Sequence, residues 1–226
     1  MVASRFLKKW FRFLPVLLLM GSTAGQLLAQ KEIGDLTLHY DMVEANNRHL
    51  DSSIIKQASK ILYIRGGMSL STIQFNQFTQ SIIYNQNGDK AYVFYHFNNQ
   101  DYLSILNKAQ WEDQYHRYKG MKLTILDGEH KTILGYHCQK AVARLKDGTE
   151  MNLFFTPELK TTVGDNPYEY KLVPGLILEY EARFMKKYTI TFTATKIDFN
   201  PVPASRFIIP KEGYRLLDPA KLKKTQ

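Results

Sequence analysis

Residues 60–106 read KILYIRGGMSLSTIQFNQFTQSIIYNQNGDKAYVFYHFNNQDYLSIL. Runs of five to eight residues rich in Ile, Tyr, Phe, Leu and Thr alternate with Gly66-Gly67, Asn85 to Asp89 and Asn98 to Asp101. Asn-Gly-Asp between two apolar runs supplies the left-handed backbone of a tight hairpin, so this stretch predicts successive antiparallel strands. On either side the same signals recur. Segments 37–43, 121–126, 136–145, 150–156, 175–181 and 188–199 read as further strands, with turns at Asp127-Gly128 and Asp147-Gly148. The polar run 44–56 reads as a loop. The fold expected is mainly β: one antiparallel, strongly curved open barrel or half-barrel of about ten strands. Helix is sparse. One short helix is expected within 104–118, where Trp111, Tyr115 and Tyr118 recur at helical spacing, and a terminal turn at 218–224.

The strands carry a second message. A sheet with one wet face alternates apolar and polar residues. Ala91 to Phe97 does not: Tyr92 and Phe94 fall on one face, Val93, Tyr95 and Phe97 on the other. Leu176 to Tyr180 is apolar on both faces apart from Glu179. Something must cover both sides: the sheet curling over itself, a ligand, a partner chain, or an aromatic-rich sandwich core.

The N-terminus reads as an export signal. Arg5, Lys8, Lys9 and Arg12 precede the apolar run 13–20, then small residues, then Leu-Leu-Ala-Gln. This is the order of a signal peptide over residues 1–29, with cleavage after Ala29. The apolar run is shorter than the roughly 20 residues that span a bilayer. The expected organisation is a signal peptide at 1–29, a β-rich domain at 30–214 and a basic tail at 215–226 containing Lys221, Lys223 and Lys224. The expected location is the periplasm or the outer membrane, with no transmembrane span in the mature chain. Cys138 is the only cysteine, so neither an internal disulfide nor a lipid-bearing cysteine at the cleavage point is available. The formal charge is +9 for the whole chain, and the four signal cations account for four of these. The remaining cations are scattered, and nucleic acid is not an expected partner.

No nucleophile elbow, phosphate loop or dinucleotide fingerprint occurs, and a non-enzymatic role is expected, with no cofactor. His137 and Cys138 are adjacent in a strand and point to opposite faces, so no metal site is expected from them. Glu179 and Glu181 share one strand face, as two solvated acids do.

Two segments carry a family resemblance. The first holds Leu134, Gly135, Tyr136, Cys138, Lys140 and Ala141, then Phe155, Thr156, Pro157 and Glu158. The second holds Pro174, Gly175, Leu176 and Ile177. Together they resemble the GLPGLI family of exported Bacteroidetes proteins, with Leu172 and Val173 standing where that family has Gly and Leu. The resemblance implies a distant likeness to lipoprotein-carrier domains, in which helices plug a hydrophobic cavity in an open barrel. That likeness concerns the fold; because several strands are apolar on both faces with little helix to cover them, the expected function is binding of an apolar ligand, a lipid or a lipidated protein. The expected lining is Tyr92, Phe94, Tyr136, Phe155, Leu176 and Leu178, with Gly135, Cys138, Pro174 and Gly175 as structural motif residues. The alternative is an envelope protein that docks another envelope protein through its sheet face.

Overall fold

The computed structural model describes residues 30–44, 58–164, 169–184 and 188–222. The expected signal peptide and most of the expected loop at 44–56 lie outside these residues. Fourteen strands occur among the described residues: β1 (Lys31–Ile33), β2 (Asp35–Glu44), β3 (Ser59–Arg65), β4 (Met68–Phe75), β5 (Phe78–Asn85), β6 (Lys90–Phe97), β7 (Gln100–Asn107), β8 (Lys122–Ile133), β9 (Tyr136–Arg144), β10 (Glu150–Thr156), β11 (Leu159–Thr161), β12 (Leu176–Phe184), β13 (Tyr188–Asp198) and β14 (Arg215–Leu216). Two short helices, α1 (Lys108–Gln114) and α2 (Pro219–Leu222), accompany them.

Twelve strands form one open sheet in the order β14-β7-β6-β5-β4-β3-β2-β13-β12-β10-β9-β8. The chain enters at the middle with β2 and winds outward to β7. It then crosses through α1 to the far edge at β8 and winds back until β13 lies beside β2. All pairings are antiparallel except β14 on β7, and the separate two-stranded pair β1–β11 is parallel. The sheet is thus mainly, not wholly, antiparallel, and its twelve strands agree roughly with the expected count of about ten. It also passes the expected boundary at 214, because residues 215 and 216 pair with Tyr102 and Leu103.

The hairpins follow from local chemistry. Asn98 and Asn99 both adopt positive φ, 50° and 56°, the backbone of a type I′ turn, which Asn tolerates better than most residues. Gly148 (φ 81°) closes the β9–β10 hairpin as expected. Asp127-Gly128 does not form the expected turn. β8 runs through it, and its register with β9 shifts between Ile125 and His130. Gly128 (φ 85°) absorbs that irregularity inside the strand. The reversal comes at Leu134-Gly135, with φ of 52° and 83°.

One face of the sheet builds a single hydrophobic cluster from β2 through β13. It contains Leu36, Leu38, Leu62, Ile64, Val93, Leu106, Leu153, Phe155, Leu178 and Ile190, all nearly or wholly buried. Ile83, Val202 and Phe207 form a second cluster on the other face of β3–β6, with Tyr63, Met68, Leu70, Tyr92, Phe94 and Ile209 packed on it. The C-terminal segment after β13 therefore covers the second face. It is pinned where the Val202 amide donates to Asp35 Oδ1 (2.9 Å) and Arg65 Nη1 donates to the Val202 carbonyl.

Candidate functional site

The crossover between the two halves of the sheet builds the candidate site. β7 ends at Asn107, whose side chain accepts from the Gln110 amide while Gln110 Oε1 accepts from the Asn107 amide, each 3.0 Å. This reciprocal cap starts α1 at residue 108, so residues 104–107 stay in the strand instead of joining the expected helix. α1 turns Trp111 and Gln114 inward. Trp111 stacks on Tyr84 of β5 and meets Tyr115 edge-on. From there an aromatic chain runs through Tyr118 and Tyr170 to Tyr180 of β12. The Tyr118 hydroxyl donates to Glu169 (2.6 Å), and the Tyr170 hydroxyl donates to the Glu181 carbonyl (2.7 Å). Burial raises the pKa of both phenols, so both stay protonated donors.

At the far end of the chain Tyr180 stacks on Phe192 and meets Tyr40 edge-on. Lys60, 4% exposed, places Nζ 4.9–5.4 Å from the centroids of Tyr40, Tyr180 and Phe192 and donates to the Tyr180 hydroxyl. Aromatic faces attract a desolvated cation, which offsets part of the cost of burying the ammonium.

Under α1 lies a cavity of about 50 Å³, lined by Gln80, Ile82, Val93, Leu106, Trp111 and Gln114. Two buried polar atoms here, Trp111 Nε1 and Gln114 Oε1, have no hydrogen-bond partner among the described residues. An orphaned donor and an orphaned acceptor, both closed off from solvent, thus belong to residues that line this cavity. Gln80 donates to the Tyr95 hydroxyl at the same wall (3.1 Å).

The expected lining residues do not converge on this cavity. Phe155, Leu176 and Leu178 are buried in the main cluster, and Tyr136 packs at its margin. Tyr92 and Phe94 lie on the opposite face under the C-terminal segment. Their neighbours Val93 and Leu106 face the cavity instead. Both faces of β6 are apolar, so composition alone could not tell which face looks inward. Lys60, Gln80, Gln114 and Tyr170 were not anticipated. Gln80 and Lys60 are legible only as polar residues at inward positions of otherwise apolar strands.

The motif residues meet at one end of β9, β10 and β12. Gln30 Nε2 donates to the carbonyls of Pro157 and Pro174, each 3.0 Å, tying the residue before β1 to both motif segments. The Glu158 side chain accepts from the His137 amide, and its carbonyl accepts from the Lys31 amide. Gly175 packs directly on the backbone of Thr156. Cys138 is fully buried, and burial pushes its thiol up to about 11. At pH 8 roughly one thiol in a thousand is then ionised. A thiol reagent such as DTNB is expected to leave folded protein unmodified and to titrate one thiol only in denaturant. Fast labelling of native protein would refute this. The thiol's contribution to stability is whole below its ordinary value of 9.0 and is lost as pH rises through about 11.

Glu179 and Glu181 are partnered rather than simply solvated. Glu179 pairs with Lys131 and accepts from Thr193 Oγ1 (2.9 Å). Glu181 accepts from the amide and side chain of Asn152. His130 and His137 bring their rings 4.7 Å apart across β8–β9, a contact visible only once the register is known. Among the described residues no group of three His, Cys, Asp or Glu side chains is placed to hold a metal ion. No described helix is long and apolar enough to cross a membrane.

No family model and no curated protein matches the chain. Solved structures do. A structure of PNGF-II aligns with a TM-score of 0.53 and 14% identity, over 84% of this chain and 33% of that one. This chain thus spans about a third of that protein. An uncharacterized conserved protein from Thermus thermophilus aligns with a TM-score of 0.45 and 9% identity, over 81% of this chain and 90% of that one. MucB aligns with a TM-score of 0.40 and 10% identity, over 81% of this chain and 60% of that one. At such identities the likeness to PNGF-II concerns the fold alone.

Proposed function

We propose that this chain is an exported, non-enzymatic envelope domain of the half-barrel type, akin to the GLPGLI family, and that it binds an apolar ligand beneath α1. The ligand is a lipid or lipidated chain with a polar end. The observation that carries the reading is a cavity beneath α1 whose lining residues Trp111 and Gln114 each hold a buried polar atom with no hydrogen-bond partner among the described residues. Ile82, Val93 and Leu106 supply apolar wall, and Gln80, Gln114, Tyr95 and Tyr115 supply polar groups to fix a ligand's polar end. With α1 seated, 50 Å³ admits only the polar end of such a molecule. The remainder requires α1 to lift, which parts Trp111 from Tyr84 while the chain on either side of the helix keeps it attached.

The test is native mass spectrometry of the protein purified from its own envelope, beside a Gln114→Leu variant. The expected result is a bound species of lipid mass on the parent protein and less of it on the variant, whose orphaned acceptor is gone. Parent protein that flies at the mass of the polypeptide alone would sink the proposal. A second reading, docking of another envelope protein through the sheet, is favoured by two exposed apolar residues on the paired strands β7 and β14, Ile105 (46% exposed) and Leu216 (78% exposed).

A further inference from the structure

A second cleft, of about 150 Å³, opens on the face of the sheet opposite α1. Its walls are Thr79, Ser81, Phe94, His96, Asp101 and Tyr214. The sheet register sets them in rows. Thr79 of β5 lies opposite His96 of β6, and His96 lies opposite Asp101 of β7. In the next row Ser81 lies opposite Phe94. His96 Nδ1 and Asp101 Oδ1 are 2.7 Å apart, which fixes the imidazole plane and turns Nε2 away from the carboxylate. Phe94 and Tyr214 pack edge to face, with centroids 5.2 Å apart. That contact joins the sheet to the segment leading into β14.

The cleft thus offers aromatic rings beside a row of hydroxyl, imidazole and carboxylate. The chemistry that matches is a ring with an apolar C–H face and hydroxyls around its rim. We infer that this cleft binds a neutral saccharide ring. The C–H face lies on one of the two rings, Phe94 or Tyr214, with the other beside it at an interplanar angle of 63°. Asp101 accepts from ring hydroxyls, and His96 Nε2 and the hydroxyls of Thr79 and Ser81 complete the rim. The carboxylate of Asp101 disfavours phosphate and other anions at the same place. The size suits one ring, being below the roughly 300 Å³ or more of pockets that hold drug-sized ligands. The ring can be a free sugar or one unit of a glycan chain.

The inference does not rest on the site under α1 and is tested separately. The full mature chain is titrated with glucose, N-acetylglucosamine, maltotriose and triacetylchitotriose, and binding is read by saturation-transfer NMR and calorimetry. The expected result is saturable binding of at least one of the four. Tyr214→Ala and Asp101→Asn are each expected to weaken it tenfold or more at an unchanged melting temperature, while Gln114→Leu leaves it intact. Binding to monosaccharides identifies a free sugar as sufficient. Binding confined to the oligomers assigns the ring to a glycan. If Tyr214→Ala disturbs the fold, Asp101→Asn and His96→Gln carry the test. Absence of binding to all four sugars, or binding unmoved by the Asp101 and His96 substitutions, overturns the inference.

Discussion

Gly175→Ala is expected to lower stability by about 3 kcal/mol, the upper part of the range for forcing extra volume into a packed site. A Cβ built on Gly175 falls 2.1 Å from the Thr156 carbonyl oxygen, 2.8 Å from its carbon and 3.0 Å from Phe155 Cδ2. The nearest obstacles are backbone atoms inside the β10–β12 pairing, where Thr156 lies opposite Leu176. They cannot rotate away as a side-chain tip can. Thr156 and Phe155 are wholly buried, so the strain has nowhere to relax outward. The melting temperature should fall by roughly 6–12 °C for a domain of this size. Gly148→Ala is the matched control. It has open space around its Cβ position and a φ of 81°, so it bears only the left-handed penalty of about 1–2 kcal/mol. Equal melting temperatures for the two variants would show that the close approach does not matter.

Ending the chain at Phe199 is expected to cost about 5 kcal/mol and to leave a sticky or insoluble product. The lost segment contributes Val202 (1% exposed) and Phe207 (8% exposed), and it covers Ile83 in turn. Burying a large apolar side chain contributes about 1.5–3 kcal/mol, so three such side chains approach the whole margin of a typical domain. Arg206 also leaves its place 4.3 Å over the Tyr63 ring, and Asp35 loses the Val202 amide. Solubility, dye binding to exposed apolar surface and a thermal melt measure the outcome. A truncated protein that stays monomeric and melts with its parent would show that the second face needs no cover.

The legible parts of the fold are those where local chemistry acts alone. Asn98-Asn99, Asp147-Gly148 and the Asn85 to Asp89 turn each dictate a hairpin within a few residues. β8 defeats the same reasoning, because Gly128 supplies positive φ for an irregular strand as well as it would for a turn. The two-faced apolar pattern of β6 was legible and so was its implication of a double cover. The cover itself was not, since Val202, Phe207 and Ile209 sit in a segment without strand or helix periodicity. At the candidate site Trp111 was visible from helical spacing. Gln80 and Gln114 were not, because their significance lies in which face of β5 and α1 they occupy. The contact between His130 and His137 and the row Thr79–His96–Asp101 are products of register, which no single segment encodes.

The placement of β2 beside β13 has a kinetic consequence. Thr37 pairs with Asp198 and Val43 with Thr191, so the seam at the centre of the sheet joins nearly the first described strand to nearly the last. The β2–β7 and β8–β10 hairpins can zip through local contacts, whereas the central seam must wait until residues 188–198 have emerged. Closing so long a loop before any contact rewards it makes the seam a natural slow step in folding. Until then the emerging chain carries β2 paired on one edge only, with β3, and its other edge is open to association with other strands.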